Sequence, residues 1–261
     1  MEASRRLVIL LLLASMVTGC GINTAVLQPG GNGRKGVLLN YSGGAHPCDP
    51  IDPTKPTIVI THGWNPLPKR IHMTFGCAGA DALKCRYGDR FNILSWDWSA
   101  VKVSPFNNRP IHVGRRQGRM LAAALRCRGI EPCRTQIIAH SLGSIVAAQA
   151  ALCLSDRGPM RQLTLLDPPR LFHEEIFCRL EATRHACVVE NYWSPGISGF
   201  GAHVDCRGVR NYVVKGTTPI RGIVDLSISN HVYVMRWYYK TMRCPSMRCG
   251  FQNSCLLGFG L

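Results

Sequence analysis

The stretch Thr135-Gln136-Ile137-Ile138-Ala139-His140-Ser141-Leu142-Gly143-Ser144 holds a serine in a setting suited to nucleophilic chemistry. A β-branched apolar run (Ile137, Ile138) leads into it. A helix-like pattern of Ile145, Val146, Ala148, Ala151 and Leu152 leads away. Strand, sharp turn and helix together are the context in which small-x-Ser-x-Gly exposes a hydroxyl on a strained turn. Only small side chains fit two residues to either side, and Ala139 and Gly143 meet that condition. The plainer use of a serine here is a helix N-cap. A serine hydroxyl is a weak nucleophile by itself, so the chemical reading needs a base and an acid that orients it.

Two kinds of partner are available after the serine. Arg161-Gln162-Leu163-Thr164-Leu165-Leu166-Asp167-Pro168-Pro169 reads as a strand that delivers a carboxylate at its C-terminal end, the edge on which open α/β sheets place ligands. Glu190, at the end of the following strand, and Asp205 are the rival acids. Asp97 precedes the serine and is read as a strand-end structural carboxylate, because the acid follows the nucleophile in the matching chain order. For the base, His231 stands just before a terminal helix, with His203 its competitor. His140 adjoins the nucleophile and therefore points elsewhere on the turn, as a residue that shapes it. His62 is read as part of a hydrogen-bonded frame and not as a ligand.

The elements that must hold these residues follow a βα pattern. At 261 residues the chain fits one α/β domain with a sizeable core. Ile58-Val59-Ile60 is a continuous apolar run, as in a strand buried on both faces of a mostly parallel sheet. Phe91 to Trp98, Ala186 to Trp193 and Val209 to Lys215 are further strands, and Arg115 to Leu125 is a helix. Ser227 to His231 reads as a polar loop ahead of an amphipathic helix over Val232 to Lys240. No repeat or low-complexity tract interrupts the pattern.

Six segments occur in one order: T-H-G-W, S-W-D-W, A-H-S-L-G, L-L-D-P, G-F-G and S-N-H-V-Y-V-M-R-W-Y-Y-K. Together, from about Thr57 to Tyr239, they resemble the pancreatic-lipase-like branch of the α/β-hydrolase superfamily. The resemblance implies an α/β-hydrolase fold with a mostly parallel sheet flanked by helices. It also implies a carboxylic-ester hydrolase (lipase, esterase or phospholipase) with Ser141 as nucleophile, Asp167 as acid and His231 as base. The turn at His62-Gly63-Trp64 looks like the family's oxyanion loop, so the backbone N–H groups of Trp64 and Leu142 would hold the oxyanion. Gly199-Phe200-Gly201 would line the acyl groove. Ala139 departs from the family's glycine, a small-for-small change. The family's C-terminal β-sandwich has no counterpart, so no colipase is expected, and the short interval from acid to histidine suits a small esterase as well as a triglyceride lipase. The chemistry requires no metal or organic cofactor. The other function classes are a non-catalytic envelope lipoprotein on this fold, or an acyltransferase or thioesterase with the same triad.

The ends of the chain speak to location. Arg5 and Arg6 precede the apolar run Leu7 to Leu13, a secretory leader too short to span a membrane. Val17-Thr18-Gly19-Cys20 resembles a bacterial lipobox, which implies a lipidated Cys20. The expected organisation is a signal peptide over 1–19, a lipidated cysteine with a flexible stalk or edge hairpin over 20–40, and a catalytic domain over 41–261. The expected address is the bacterial envelope, membrane-anchored, with secretion as the alternative. Twelve cysteines besides Cys20 suit disulfides in an exported chain. Short-range candidates are Cys77 with Cys85, Cys127 with Cys133, Cys178 with Cys187, and pairs among Cys244, Cys249 and Cys255. No C-x-x-C pair occurs, which disfavours a thiolate zinc site. The net charge of +16 marks either a solvated basic surface of scattered arginines or one attracted to anionic lipids or polymers. No zinc-finger spacing or basic-aromatic array points to nucleic acid. Full-length Cys20→Ser is expected to leave the membrane pellet for the soluble fraction; its persistence in the pellet would count against the lipid anchor.

Overall fold

The computed structural model describes residues 25–26, 36–42, 51–64, 71–99, 101, 109–169, 175–195, 201–216 and 226–259, and the structural statements below concern these residues. The leader, Cys20, Gly199 and Phe200 lie outside them. In chain order the strands are β1 (Ala25–Val26), β2 (Val37–Asn40), β3 (Thr57–Thr61), β4 (Asn92–Asp97), β5 (Thr135–His140), β6 (Gln162–Leu166), β7 (Val189–Trp193) and β8 (Val209–Val213). The helices are α1 (Ile71–Tyr87), α2 (Arg109–Cys127), α3 (Gly143–Cys153), α4 (Ile176–Arg179) and α5 (Leu226–Arg243). One eight-stranded sheet runs in the order β1-β2-β4-β3-β5-β6-β7-β8. The pairs from β4 to β8 are parallel, and β2 is antiparallel to both β1 and β4. With helices on both faces and a helix springing from the turn after β5, this is the α/β-hydrolase fold. The sheet takes in Val37–Asn40, ahead of residue 41.

Alternation along each strand explains the two cores. Leu38, Val59, Leu94, Trp96, Ile137, Leu163 and Leu165 face α2 and α3. Their neighbours Leu39, Ile58, Ile60, Ile93, Ile138 and Leu166 face α1 and α5. Both faces are covered, so the central strands are apolar at successive positions instead of every second one.

Three local expectations are corrected. A helix over Ile71–Tyr87 stands where no helix was read. A Cβ on Gly76 would lie 2.5 Å from Ser95 Oγ, and one on Gly79 2.5 Å from Ile60 Cδ1. The two glycines bring α1 against the sheet at the expense of helix propensity, which hides the helix from propensity reasoning. The loop expected over Ser227 to His231 is the start of α5. Serine and asparagine are poor helix formers inside a helix but acceptable in the first turn, whose N–H groups have no helical partner. Cysteine pairing also differs. Cys178 joins Cys206, with Cα atoms 5.5 Å apart, and not Cys187. Cys77 is disulfide-bonded, while Cys85, Cys127, Cys133, Cys187, Cys244, Cys249 and Cys255 are free thiols.

Beneath the sheet, on the α1 and α5 side, lies a buried polar network. Gln136 Nε2 donates to Thr164 Oγ1 at 2.9 Å, Ser254 Oγ to Gln136 Oε1 at 2.6 Å, and the Cys255 N–H to Gln162 Oε1 at 2.8 Å. Glu190 belongs to this network. Its Oε2 accepts from Gln162 Nε2 at 2.9 Å and from the Tyr192 hydroxyl at 3.2 Å. Burial raises its pKa to about 7, against the opposing hydrogen bonds and the Arg210 charge. A carboxyl that gains affinity for its proton on folding stabilises the fold most below its unfolded pKa, and loses that contribution as pH rises through the folded value. Relative to Glu190→Gln, the wild-type unfolding free energy in urea is therefore expected to fall between about pH 4.5 and pH 7 and to level off above. A pH-independent difference would show that Glu190 is ionised in the fold throughout that range.

Candidate active site

Strand order brings distant segments of the chain to one edge. From the central β3 the chain steps to β4 on one side and then to β5 on the other, so the carboxyl ends of β3 and β5 flank a topological switch point. Thr61 pairs with Ala139, and His140 with Leu166. The turns after β3, β5 and β6 therefore emerge side by side, and these carry Trp64, Ser141 and Asp167.

Ser141 follows β5 with φ 54°, in the left-handed region that residues bearing a Cβ rarely adopt. Its N–H donates to Leu166 O at 2.9 Å, and its carbonyl accepts from the Ser144 N–H at 2.9 Å as α3 begins. The turn is thus fastened on both sides. Gly63 runs directly against it: a Cβ there would lie 2.5 Å from Ser141 Cβ and 3.0 Å from Ser141 Oγ. Only glycine lets the loop after β3 approach the Ser141 side chain so closely. Trp64 is 40% exposed at this edge, while Leu142 is buried.

Asp167 follows β6 in the same left-handed conformation, φ 52°. It is buried, and both carboxylate oxygens are engaged. Oδ1 accepts from the Ser194 N–H at 2.8 Å, and Oδ2 lies 2.6 Å from His231 Nδ1. A carboxylate acceptor assigns that Nδ1 the proton, which gives Nε2 the lone pair a general base requires. Gly201 closes the other side, where a Cβ would fall 1.9 Å from Asp167 Oδ1. Sequence reading placed Gly201 only in a groove-lining segment; its contact with the acid depends on the bridge between Pro169 and Gly201 and has no local signal.

The remaining candidates fall elsewhere. Glu190 is the second residue of β7, paired with Thr164 and Arg210, and its carboxylate belongs to the buried network below the sheet. That position corrects its reading as a strand-end acid. Asp205 and His203 are exposed, and the His203 ring meets Trp193 edge-on at 6.0 Å. His62 is buried: Nδ1 donates to Gly63 O at 2.7 Å, and Nε2 accepts from the Trp98 N–H at 3.0 Å. Its ring stacks on Trp98 at 5.1 Å and its carbonyl accepts from Trp98 Nε1, so it frames the loop before Trp64. Asp97 Oδ1 accepts from the Ser99 N–H at 3.0 Å and lies 3.3 Å from His62 Nε2, a strand-end structural contact. His140 Nε2 lies 3.1 Å from the His231 carbonyl.

The short bond between Asp167 and His231 has a direct readout. Its proton should give a far-downfield imidazole resonance in wild type. In Gly201→Ala the displaced carboxylate is expected to abolish that resonance while the far-ultraviolet circular dichroism stays unchanged. A resonance unaltered by the added methyl would refute the tight packing of Gly201 on the acid.

No protein-family model matches the sequence, and no curated protein matches it. Solved structures are similar to it in backbone course. An esterase from Pyrobaculum calidifontis shares 16% identity at a TM-score of 0.45, over 94% of this chain and 92% of that one. A thermostable esterase from Pseudomonas putida shares 11% at 0.47, over 94% and 89%. A thermophilic carboxylesterase from a metagenomic library shares 13% at 0.48, over 93% and 98%. At these identities and scores the likeness is one of backbone course alone.

Proposed function

We propose that the protein is a carboxylic-ester hydrolase, a lipase, esterase or phospholipase, working through an acyl-enzyme. The observation that carries the reading is the pairing of a left-handed Ser141 at the strand-helix turn with an Asp167–His231 hydrogen bond of 2.6 Å at the same sheet edge. In this reading Ser141 Oγ attacks the ester carbonyl while His231 Nε2 takes its proton. The oxyanion that forms is held by the N–H groups of Trp64 and Leu142. His231 then returns the proton to the departing alkoxide, and water, activated by the same imidazole, releases the acid. Asp167 holds the tautomer and stabilises the imidazolium. No metal or organic cofactor enters any step.

The acid's position after β6, directly following the elbow helix, supports the pancreatic-lipase-like branch over hydrolases that place it one strand later. The leader and lipobox-like ending support an exported, membrane-anchored enzyme. Its partners would then be an ester or lipid substrate and the membrane held through Cys20.

The test is hydrolysis of p-nitrophenyl esters of graded chain length by the full chain, with fluorophosphonate labelling alongside. Ser141→Ala should lose both turnover and label. Asp167→Asn should lower turnover by a factor of about 10³–10⁴, while Glu190→Gln leaves it unchanged. Serine-independent turnover, or no turnover and no label in wild type, would overturn the proposal.

A further inference from the structure

His140 is not accounted for by the triad, yet it touches it. As the last residue of β5 it is joined to Ser141 by a peptide bond, and its Nε2 lies 3.1 Å from the backbone oxygen of His231. A carbonyl can only accept, so Nε2 carries the proton and donates. The two imidazoles pack at 4.4 Å between ring centroids. Phe75 of α1 also packs on the His140 ring, at 5.6 Å between centroids. Phe75 is itself fixed to α5, since its carbonyl accepts from the Tyr239 hydroxyl at 3.2 Å and the two rings meet edge to face. One side chain therefore spans from the nucleophile's strand to the backbone of the histidine that would deprotonate it.

The groups facing His140 decide its charge. Burial holds its pKa well below the usual histidine range, and His231 and His62 add like-charge repulsion. The Asp167 carboxylate is committed to His231 Nδ1. A neutral His140 donates its hydrogen bond without placing a second positive charge beside the imidazolium that forms on His231 during turnover.

We propose that His140 is a positioning residue: by donating to the His231 carbonyl it fixes the first turns of α5 against the elbow, and so sets the approach of His231 Nε2 to Ser141 Oγ. The inference rests on the triad reading given above. It concerns the transition state more than substrate binding, because His140 acts through the backbone of His231. An error of about 1 Å in such an alignment costs about a hundredfold in rate.

The experiment compares His140→Leu, which keeps bulk without a donor, with His140→Gln, whose amide can donate to the same carbonyl and cannot become charged. The Leu variant is expected to lose at least about tenfold in kcat with KM within about twofold, and the Gln variant to regain most of it. The His231 Nδ1–H resonance should broaden in the Leu variant and sharpen again in the Gln variant, a readout that does not require turnover. Wild-type-like kcat in the Leu variant, or equal losses in both variants with the resonance unchanged, would overturn the positioning role. An unlabelled, inactive wild type in which the resonance still follows the donor would instead place the failure in the triad reading.

Discussion

Ser141 occupies a left-handed backbone conformation that a residue with a side chain adopts at a cost of about 1–3 kcal/mol. That strain persists because the surroundings leave no other course. The Ser141 N–H is held by β6 through Leu166, its carbonyl is taken by α3 through Ser144, and the loop after β3 presses on its side chain at Gly63. Three consecutive parallel strands thus converge on one turn. The sheet exists, in mechanical terms, to keep that turn bent, and its fully buried central strands resist the local unfolding that would relax it.

Asp167 repeats the device one strand over. Left-handed, it turns its carboxylate off the end of β6 toward α5, where His231 meets it from 64 residues further on. Neither residue needs to be near the other in sequence, because neighbouring strands in a parallel sheet emerge on the same edge and the last helix crosses that edge. Charge is managed by the same geometry. Asp167 gives His231 an anionic partner, while burial holds the pKa of the adjacent His140 well below the usual histidine range.

How much of this was legible in the sequence follows from what each residue depends on. The turn at Ser141 depends on neighbours one and two positions away, so a strand-like run, small residues and a helix-like run disclose it. The strands around Ile58, Ile93 and Leu163 are likewise visible as apolar runs. Helix α1 was hidden because Gly76 and Gly79 answer to Ser95 and Ile60, partners outside their own segment. The start of α5 was hidden because Ser227 and Ser229 carry the composition of a loop while occupying the first helical turn. Glu190 looked like a catalytic candidate because its residue type suits acid chemistry; its place low on β7 and its bonds to Gln162 and Tyr192 are tertiary facts. The partner of Cys178 was hidden for the same reason.

That disulfide reaches further than its own loop. The 28-residue interval from Cys178 to Cys206 contains both Ser194, whose N–H meets Asp167 Oδ1, and Gly201, which walls the carboxylate in. Closing a loop of that length removes about 3–4 kcal/mol of unfolded-state entropy. The surroundings of the acid are thus a covalent ring as well as a folded one. With that disulfide reduced the ring is open and the carboxylate's cage is held by hydrogen bonds and packing alone, so oxidation of one thiol pair is the step at which the fold's chemistry and its cellular setting become a single event.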